Sequence, residues 1–218
     1  MSDRKAAATL LVVIVTAVLA GVGAARGMFP VLAAWVLVAT VVTIGGFSSI
    51  DRSIIRERLR RGQKSEDPHR LLVIRMLILI HIVAGFTAAI RGDLSPFPQT
   101  LRLAALIPFA AGLTWTWWSL SVNPFFVPVI RLQEERGHRV ISAGPYRFLR
   151  HPGYSGLIVS LPASGLALGS WISFAASVLA AFLFVRRAAH EDRFLLERLS
   201  EYPAYAGRVR FRLIPGVW

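Results

Sequence analysis

Cysteine is absent from this chain of 218 residues, and with it go disulfides, Cys-based zinc sites, iron–sulfur clusters and a thiol nucleophile. Acids are scarce: 12 Asp and Glu stand against 25 Lys and Arg, for a net charge of +13. So basic a balance raises nucleic acid as a partner. The arginines, however, fall between apolar runs rather than on one soluble surface. Anionic lipid head groups suit that pattern, and nucleic acid is not expected. Also missing are internal repeats, low-complexity linkers, the inverted pair of broken helices of many transporters and the glycine-rich strand–helix fingerprint of soluble nucleotide-binding domains. What is abundant is apolar: 55% of residues, with a mean hydropathy of +0.55. That excludes an ordinary soluble domain and points to the bilayer.

A membrane core about 30 Å thick takes about 20 apolar residues as a helix. Ala6–Ala25 and Met28–Ile50 carry no charge, and Leu71–Ile90 is interrupted only by Arg75 and His81. Leu103–Ile130 is uncharged too, with Pro108, Pro124 and Pro128 placed to kink or end its helix. Pro152–Val185 is also free of charge. As one straight helix it would run about 50 Å, too long for a single crossing. Leu168-Gly169-Ser170 near its middle predicts a hairpin of two short spans. The expected fold is an all-α integral membrane bundle of about six transmembrane helices, with a C-terminal helical hairpin and a cytoplasmic amphipathic tail over 186–205. Residues 1–100 read as N-terminal transmembrane helices with an interfacial basic segment, and 101–218 as the core that carries the motifs.

Charge placement predicts the orientation. Arg4 and Lys5 precede the first span; seven basic residues lie between Asp51 and Arg70, five between Arg131 and Arg150, and seven from Arg186 to Arg212. Arg26, Arg91 and Arg102 alone fall in the alternate loops. Both termini are therefore expected in the cytoplasm, and the compact Arg-rich chain suggests a bacterial inner membrane. Two alternatives stay open. The first apolar run can be a retained span or a cleaved leader. Asp51–Arg61 can be an interfacial helix on anionic lipid, with Ile50, Ile54, Ile55 and Leu59 to one side, or a solvated loop.

Outside the spans, Gly137–Gly156 (GHRVISAGPYRFLRHPGYSG) is the informative stretch. Gly144-Pro145 signals a turn, and His151-Pro152 a helix start with proline at the first position. Free N–H groups of Gly153 and Tyr154 at that terminus would favour an anion, and Arg150 can hold a carboxylate in bidentate fashion. A basic juxtamembrane anchor is the plainer alternative. Downstream, His190, Glu191 and Asp192 follow the last apolar run, and Arg187 and Glu191 are spaced as an i, i+4 pair. A hairpin would return these acids to His151-Pro152. A pocket cationic on one side and acidic on the other suits a zwitterion that carries a second positive charge.

These residues carry a resemblance. From Asn123 to Trp218 the chain resembles the isoprenylcysteine carboxyl methyltransferase family and its bacterial relatives, which look akin to phospholipid methyltransferases. The matching features are His138, GPYRFLRHPGYSG at 144–156, an apolar hairpin, the acidic pair Glu191-Asp192, and a tail with Tyr202, Tyr205 and RLIPGVW. The resemblance implies a membrane-embedded enzyme that uses S-adenosylmethionine in a cytoplasm-facing pocket, with a lipidic or hydrophobic acceptor arriving from the bilayer and no metal. It carries over His138, Gly144, Tyr146, Arg150, His151, Pro152, Tyr154, Glu191 and Asp192 as cofactor-binding residues. The pair here is Glu-Asp where Glu-Glu is commoner, and residues 1–100 show no specific match. Methyl transfer from a sulfonium is an in-line displacement in which positioning and water exclusion supply most of the catalysis. An anionic acceptor needs orienting, for which Arg186 or Arg187 are candidates; an amine needs deprotonation, by His190 or Glu191. O-methylation of a prenylated cysteine carboxylate, N-methylation of a phospholipid and S-methylation of a thiol all remain open, as does a non-catalytic membrane subunit or small transporter.

Other residues have plainer readings. His81 at mid-span is a functional hypothesis by default, but a neutral imidazole bonded to a neighbouring helix also accounts for it. Trp115, Trp117 and Trp118, with Phe125 and Phe126, can line a lipid entrance or form an interfacial belt. Asn123 can cap its helix or contact cofactor.

Overall fold

The computed structural model describes residues 30–58, 66–91 and 95–218. The first expected span, Ala6–Ala25, lies outside them. The described residues form eight α-helices and two 3-10 turns: α1 Pro30–Ser48, α2 Arg52–Arg58, α3 Pro68–Arg91, α4 Gln99–Ala104, α5 Leu106–Val122, α6 Pro152–Leu168, α7 Trp171–Arg198 and α8 Tyr202–Arg208, with turns at Glu134–Arg136 and Gly144–Arg147. Four stretches are long and apolar enough to cross a membrane: Val31–Ser48, Pro68–Ala88, Gln99–Val122 and Trp171–Arg198. Large apolar side chains such as Ile107, Trp171 and Phe182 face outward, the reverse of a soluble surface. The chain is an integral membrane protein. Four of the six expected spans are matched among the described residues; the first lies outside them, and α6, with 17 residues, is about 25 Å long, shorter than the other four.

Two sequence expectations change. The span expected over Leu103–Ile130 is helical only from Gln99, is interrupted at Ala105 and ends at Val122. Pro108 has no N–H to give the Ala104 carbonyl, which accounts for the break, and Asn123-Pro124 stops the helix. Residues 123–131 run instead as an irregular wall. The expected tail at Arg186 is not a separate element. No glycine or proline occurs between Trp171 and Arg198, so α7 continues as one helix of 28 residues beyond the apolar run. The hairpin turns at Gly169 (φ 77) and Ser170, whose Oγ accepts the Ser173 N–H at 3.4 Å. Left-handed backbone there favours glycine.

Helices α5 and α6 cross where side chains vanish. A Cβ on Gly156 would lie 2.5 Å from the Gly112 carbonyl oxygen, and one on Gly112 would lie 2.6 Å from that of Gly156. Such small-residue crossings substitute for hydrophobic drive in lipid. At the bundle centre Trp35 stacks on Phe109 at 5.3 Å, and its Nε1–H donates to Ser164 Oγ at 2.8 Å. Ser164 Oγ also lies 3.0 Å from His81 Nε2, and Ser173 Oγ 2.8 Å from His81 Nδ1. A neutral imidazole satisfies this chain, which ties α1, α6, α3 and α7 together without leaving a polar group bare. His81 is thus a helix tie. Ile50 and Ile54 are buried in protein, so the apolar side of α2 packs inward; Leu59–Arg61 of that segment lie outside the described residues.

Candidate functional site

The hairpin brings the two motifs together at one end of the bundle. Proline at the first position starts α6, and the uninterrupted α7 carries Glu191 and Asp192 back over that start. Tyr154 Oη donates to Glu191 Oε2 at 2.6 Å, and Arg187 Nε donates to Tyr154 Oη at 3.0 Å. A second Arg187 nitrogen, Nη2, donates to the Pro128 carbonyl at 2.6 Å, while Nη1 is buried without a hydrogen-bond partner. A buried cation with an unused donor costs free energy unless an anion reaches it.

Glu191 and Asp192 take different parts. Glu191 lines a cleft of about 690 Å³ of atom-free space, part of it open to solvent. Asp192 lies fully buried and does not line the cleft. Its Oδ1 accepts from Tyr202 Oη at 2.8 Å and lies 3.2 Å from His151 Nε2 and 3.3 Å from Arg150 Nε; Oδ2 accepts from Arg212 Nε at 2.7 Å. Burial and the adjoining Asp192 charge raise the Tyr202 phenol well above its ordinary range, so it stays a donor. This carboxylate joins α6, α7, α8 and the C-terminal curl, in which Trp218 O accepts the N–H groups of Arg212, Leu213 and Ile214.

The expected bare anion site at the start of α6 is not present in that form. The Tyr154 N–H donates to the His151 carbonyl at 3.1 Å, and the His151 N–H donates to Arg212 O at 2.9 Å. The Gly153 Cα packs on Phe126, where a Cβ would lie 2.6 Å from the ring.

Of the other residues singled out in the sequence, His138, Tyr146, Arg150 and His151 line the cleft. His138 stacks on Phe125 at 4.6 Å, and its Nδ1 accepts the Gln133 N–H at 3.3 Å. Burial lowers the His138 pKa from its ordinary value, so the ring is neutral at neutral pH. Gly144 (φ 56) packs on Val122 and permits the turn that sets Tyr146. Pro152 is buried at the helix start. Arg186 is exposed and, among the described residues, does not line the cleft; a turn of about 100° per residue separates it from Arg187. His190 is exposed as well. Asn123 caps a turn by accepting the Phe125 N–H at 2.9 Å, and it also lines the cleft with Phe125 and Phe126.

Sequence reasoning missed Gln133. It is fully buried, and its Nε2 donates to Phe125 O at 2.7 Å while Arg136 bonds both Gln133 Oε1 and, at 3.1 Å, Pro124 O. Nothing in a lone glutamine within a polar loop signals that role. Arg131 and the tyrosines of α8 also line the cleft, Tyr205 Oη donating to Tyr146 O at 2.8 Å.

The chain is ICMT-like: residues 103–197 match the isoprenylcysteine carboxyl methyltransferase (ICMT) family. Probable protein-S-isoprenylcysteine O-methyltransferases of rice, from the indica and japonica subspecies of Oryza sativa, are each 36% identical over 86 residues, 38% of this chain and 45% of theirs. The chain thus spans about half the length of those curated relatives. Protein-S-isoprenylcysteine O-methyltransferase B of Arabidopsis thaliana is 26% identical over 132 residues, 51% of this chain and 67% of its own. The solved structure of a eukaryotic intramembrane Ras methyltransferase, ICMT, superposes with a TM-score of 0.60 at 16% identity, covering 97% of this chain and 75% of that one. The likeness establishes a common fold.

Proposed function

We propose that this protein is a membrane methyltransferase that binds S-adenosylmethionine in the cleft and methylates the carboxylate of a prenylated cysteine or a similar lipidic acid, with 101–218 as its catalytic core. The Arg187–Tyr154–Glu191 chain carries the reading: a buried guanidinium with an unused donor sits one side chain away from a carboxylate on the cleft. The names of the rice and Arabidopsis relatives support an O-methyl transfer.

The residues present suit the cofactor. Phe125, His138 and Tyr146 would offer aromatic faces to its flat base, Glu191 a carboxylate to its ammonium, and Arg150 a guanidinium to its carboxylate, all of them lining the cleft. When bound, S-adenosylmethionine supplies an electrophilic methyl on a sulfonium. Glu191 favours that cation, and a neutral His138 adds no opposing charge. Arg187, buried one side chain behind Glu191, would orient the acceptor carboxylate with its unused Nη1, and an acceptor that is already anionic needs no strong base. Phe126, Val127 and Ile130 present an apolar wall that excludes water. Asp192 acts through the residues it holds, Arg150 and His151. The basic loops support a six-span topology with both termini and the cleft on the cytoplasmic side of a bacterial inner membrane.

Calorimetry of S-adenosylhomocysteine binding to detergent-purified protein, beside Glu191→Ala, tests the cofactor. Micromolar binding that the substitution abolishes supports it; no binding by folded protein in two detergents sinks it. Labelled methyl transfer to N-acetyl-S-farnesylcysteine then tests the acceptor, and an Arg187→Leu variant should retain cofactor binding while losing transfer.

A further inference from the structure

The cleft wall over residues 127–131 has no regular secondary structure, so its position depends on what grips it. Arg187 grips Pro128 from α7. Two further attachments come from the segment that joins α1 to α3, which lies outside the family match. The Glu66 N–H donates to the Ile130 carbonyl at 3.0 Å. Glu57, on α2, pairs its Oε1 with Arg131 Nη2 at 2.8 Å. Arg131 also pairs with Glu135 at 2.8 Å on its own loop. Both Ile130 and Arg131 line the cleft.

The Glu57–Arg131 pair has the character of a brace. Its side chains are 12% and 19% exposed, far less than those of an ordinary surface pair, so salt screens it weakly. It closes a gap of 74 residues, and α2 has a fixed seat, because Ile50 and Ile54 are buried in protein beside it. Without Glu57, the Arg131 guanidinium keeps one carboxylate on its own loop and loses the one on a seated helix.

We infer that Glu57 is a positioning residue for the cofactor cleft: through Arg131 it holds the 127–131 wall in place, so that a segment beyond the family-matching region sets cofactor affinity. The inference rests on the reading of the cleft as the cofactor site, and its test has one arm independent of that reading. Hydrogen exchange of the 127–132 amides in detergent reports the brace itself. Glu57→Gln should speed exchange there, and Glu57→Asp, which keeps the charge, should restore much of the protection. Calorimetry with S-adenosylhomocysteine reports the coupling. Glu57→Gln should weaken binding about threefold, the size expected of one partly buried ion pair, with the effect appearing in the cofactor KM rather than in kcat. Combining it with Arg131→Gln should add less than the sum of the two single losses. Glu197→Gln, exposed at the far end of α7, serves as the control. Unchanged exchange in Glu57→Gln overturns the brace. Faster exchange with unchanged affinity overturns the coupling. If the unaltered protein binds no S-adenosylhomocysteine, the cofactor reading fails, and the exchange arm decides the brace alone.

Discussion

Adjacent acids on one helix do different jobs here, because successive residues on an α-helix point about 100° apart. Glu191 meets the cleft, and Asp192 turns inward to Arg150, His151 and Arg212. Removing the buried anion strands those cations, a change that costs about 3–5 kcal/mol. Asp192→Asn should therefore lower the unfolding temperature sharply, whereas Glu191→Gln, which still accepts from Tyr154, should leave it nearly unchanged and weaken cofactor binding. Thermal unfolding in detergent separates the two. His138 offers a second test. Its charged form is disfavoured by burial, and protonation also removes the acceptor that the Gln133 N–H uses. The stabilisation is full above the ordinary histidine pKa of about 6.5 and is lost as pH falls through the lowered folded value. Thermal stability in detergent should thus be level at neutral pH and above and fall as pH drops below the ordinary histidine range, and His138→Gln should flatten that decline.

Among the elements, the α5–α6 crossing matters most to the site, since α6 carries Tyr154 and α5 leads into the cleft wall. Alanine is a better helix former than glycine by about 1 kcal/mol. At Gly156 that gain is outweighed. The new methyl would sit 2.3 Å from Thr116 Oγ1 and 2.5 Å from the Gly112 carbonyl oxygen, and overpacking of this kind costs about 1–3 kcal/mol. Gly156→Ala should destabilise the protein and shift Tyr154 enough to weaken cofactor binding. Gly207→Ala, in α8 with nothing within 4 Å of its Cβ position, should be neutral or stabilising. Opposite signs for one substitution at two helical glycines would show that the approach of helix backbones, rather than glycine flexibility, sets the geometry.

For the whole molecule, the testable property is sidedness. The chain has no native cysteine, so a single introduced thiol reports its own exposure without background. His69 and Glu197 are exposed on one side of the proposed topology and Gln99 on the other. An impermeant maleimide should label His69→Cys and Glu197→Cys in inverted vesicles, and Gln99→Cys in right-side-out spheroplasts. The reverse pattern would overturn the assignment of the cleft to the cytoplasm.

The sequence by itself determined the solvent and much of the architecture. Uncharged runs of membrane length have no stable home in water, and Gly169-Ser170 inside the last run left a turn as the economical solution. The Gly-Pro-Tyr and Arg-His-Pro motifs with Glu191 were legible because residue types in fixed order carry chemistry and the hairpin returns one to the other. Tertiary structure alone decided the rest. Whether Pro124 ends a span or kinks it depends on what receives the chain beyond it, and here that is a cleft wall gripped by Arg187, Gln133 and Glu66. Asp192 as hub, Arg187 inward and Arg186 outward follow from how α7 is rotated against α6, a rotation set by the packing of Gly165 against Phe174 and Ser177. Glu57 and Arg131, 74 residues apart, could not be paired from the sequence, because the partner of a charge in an irregular loop is chosen by the path of the folded chain.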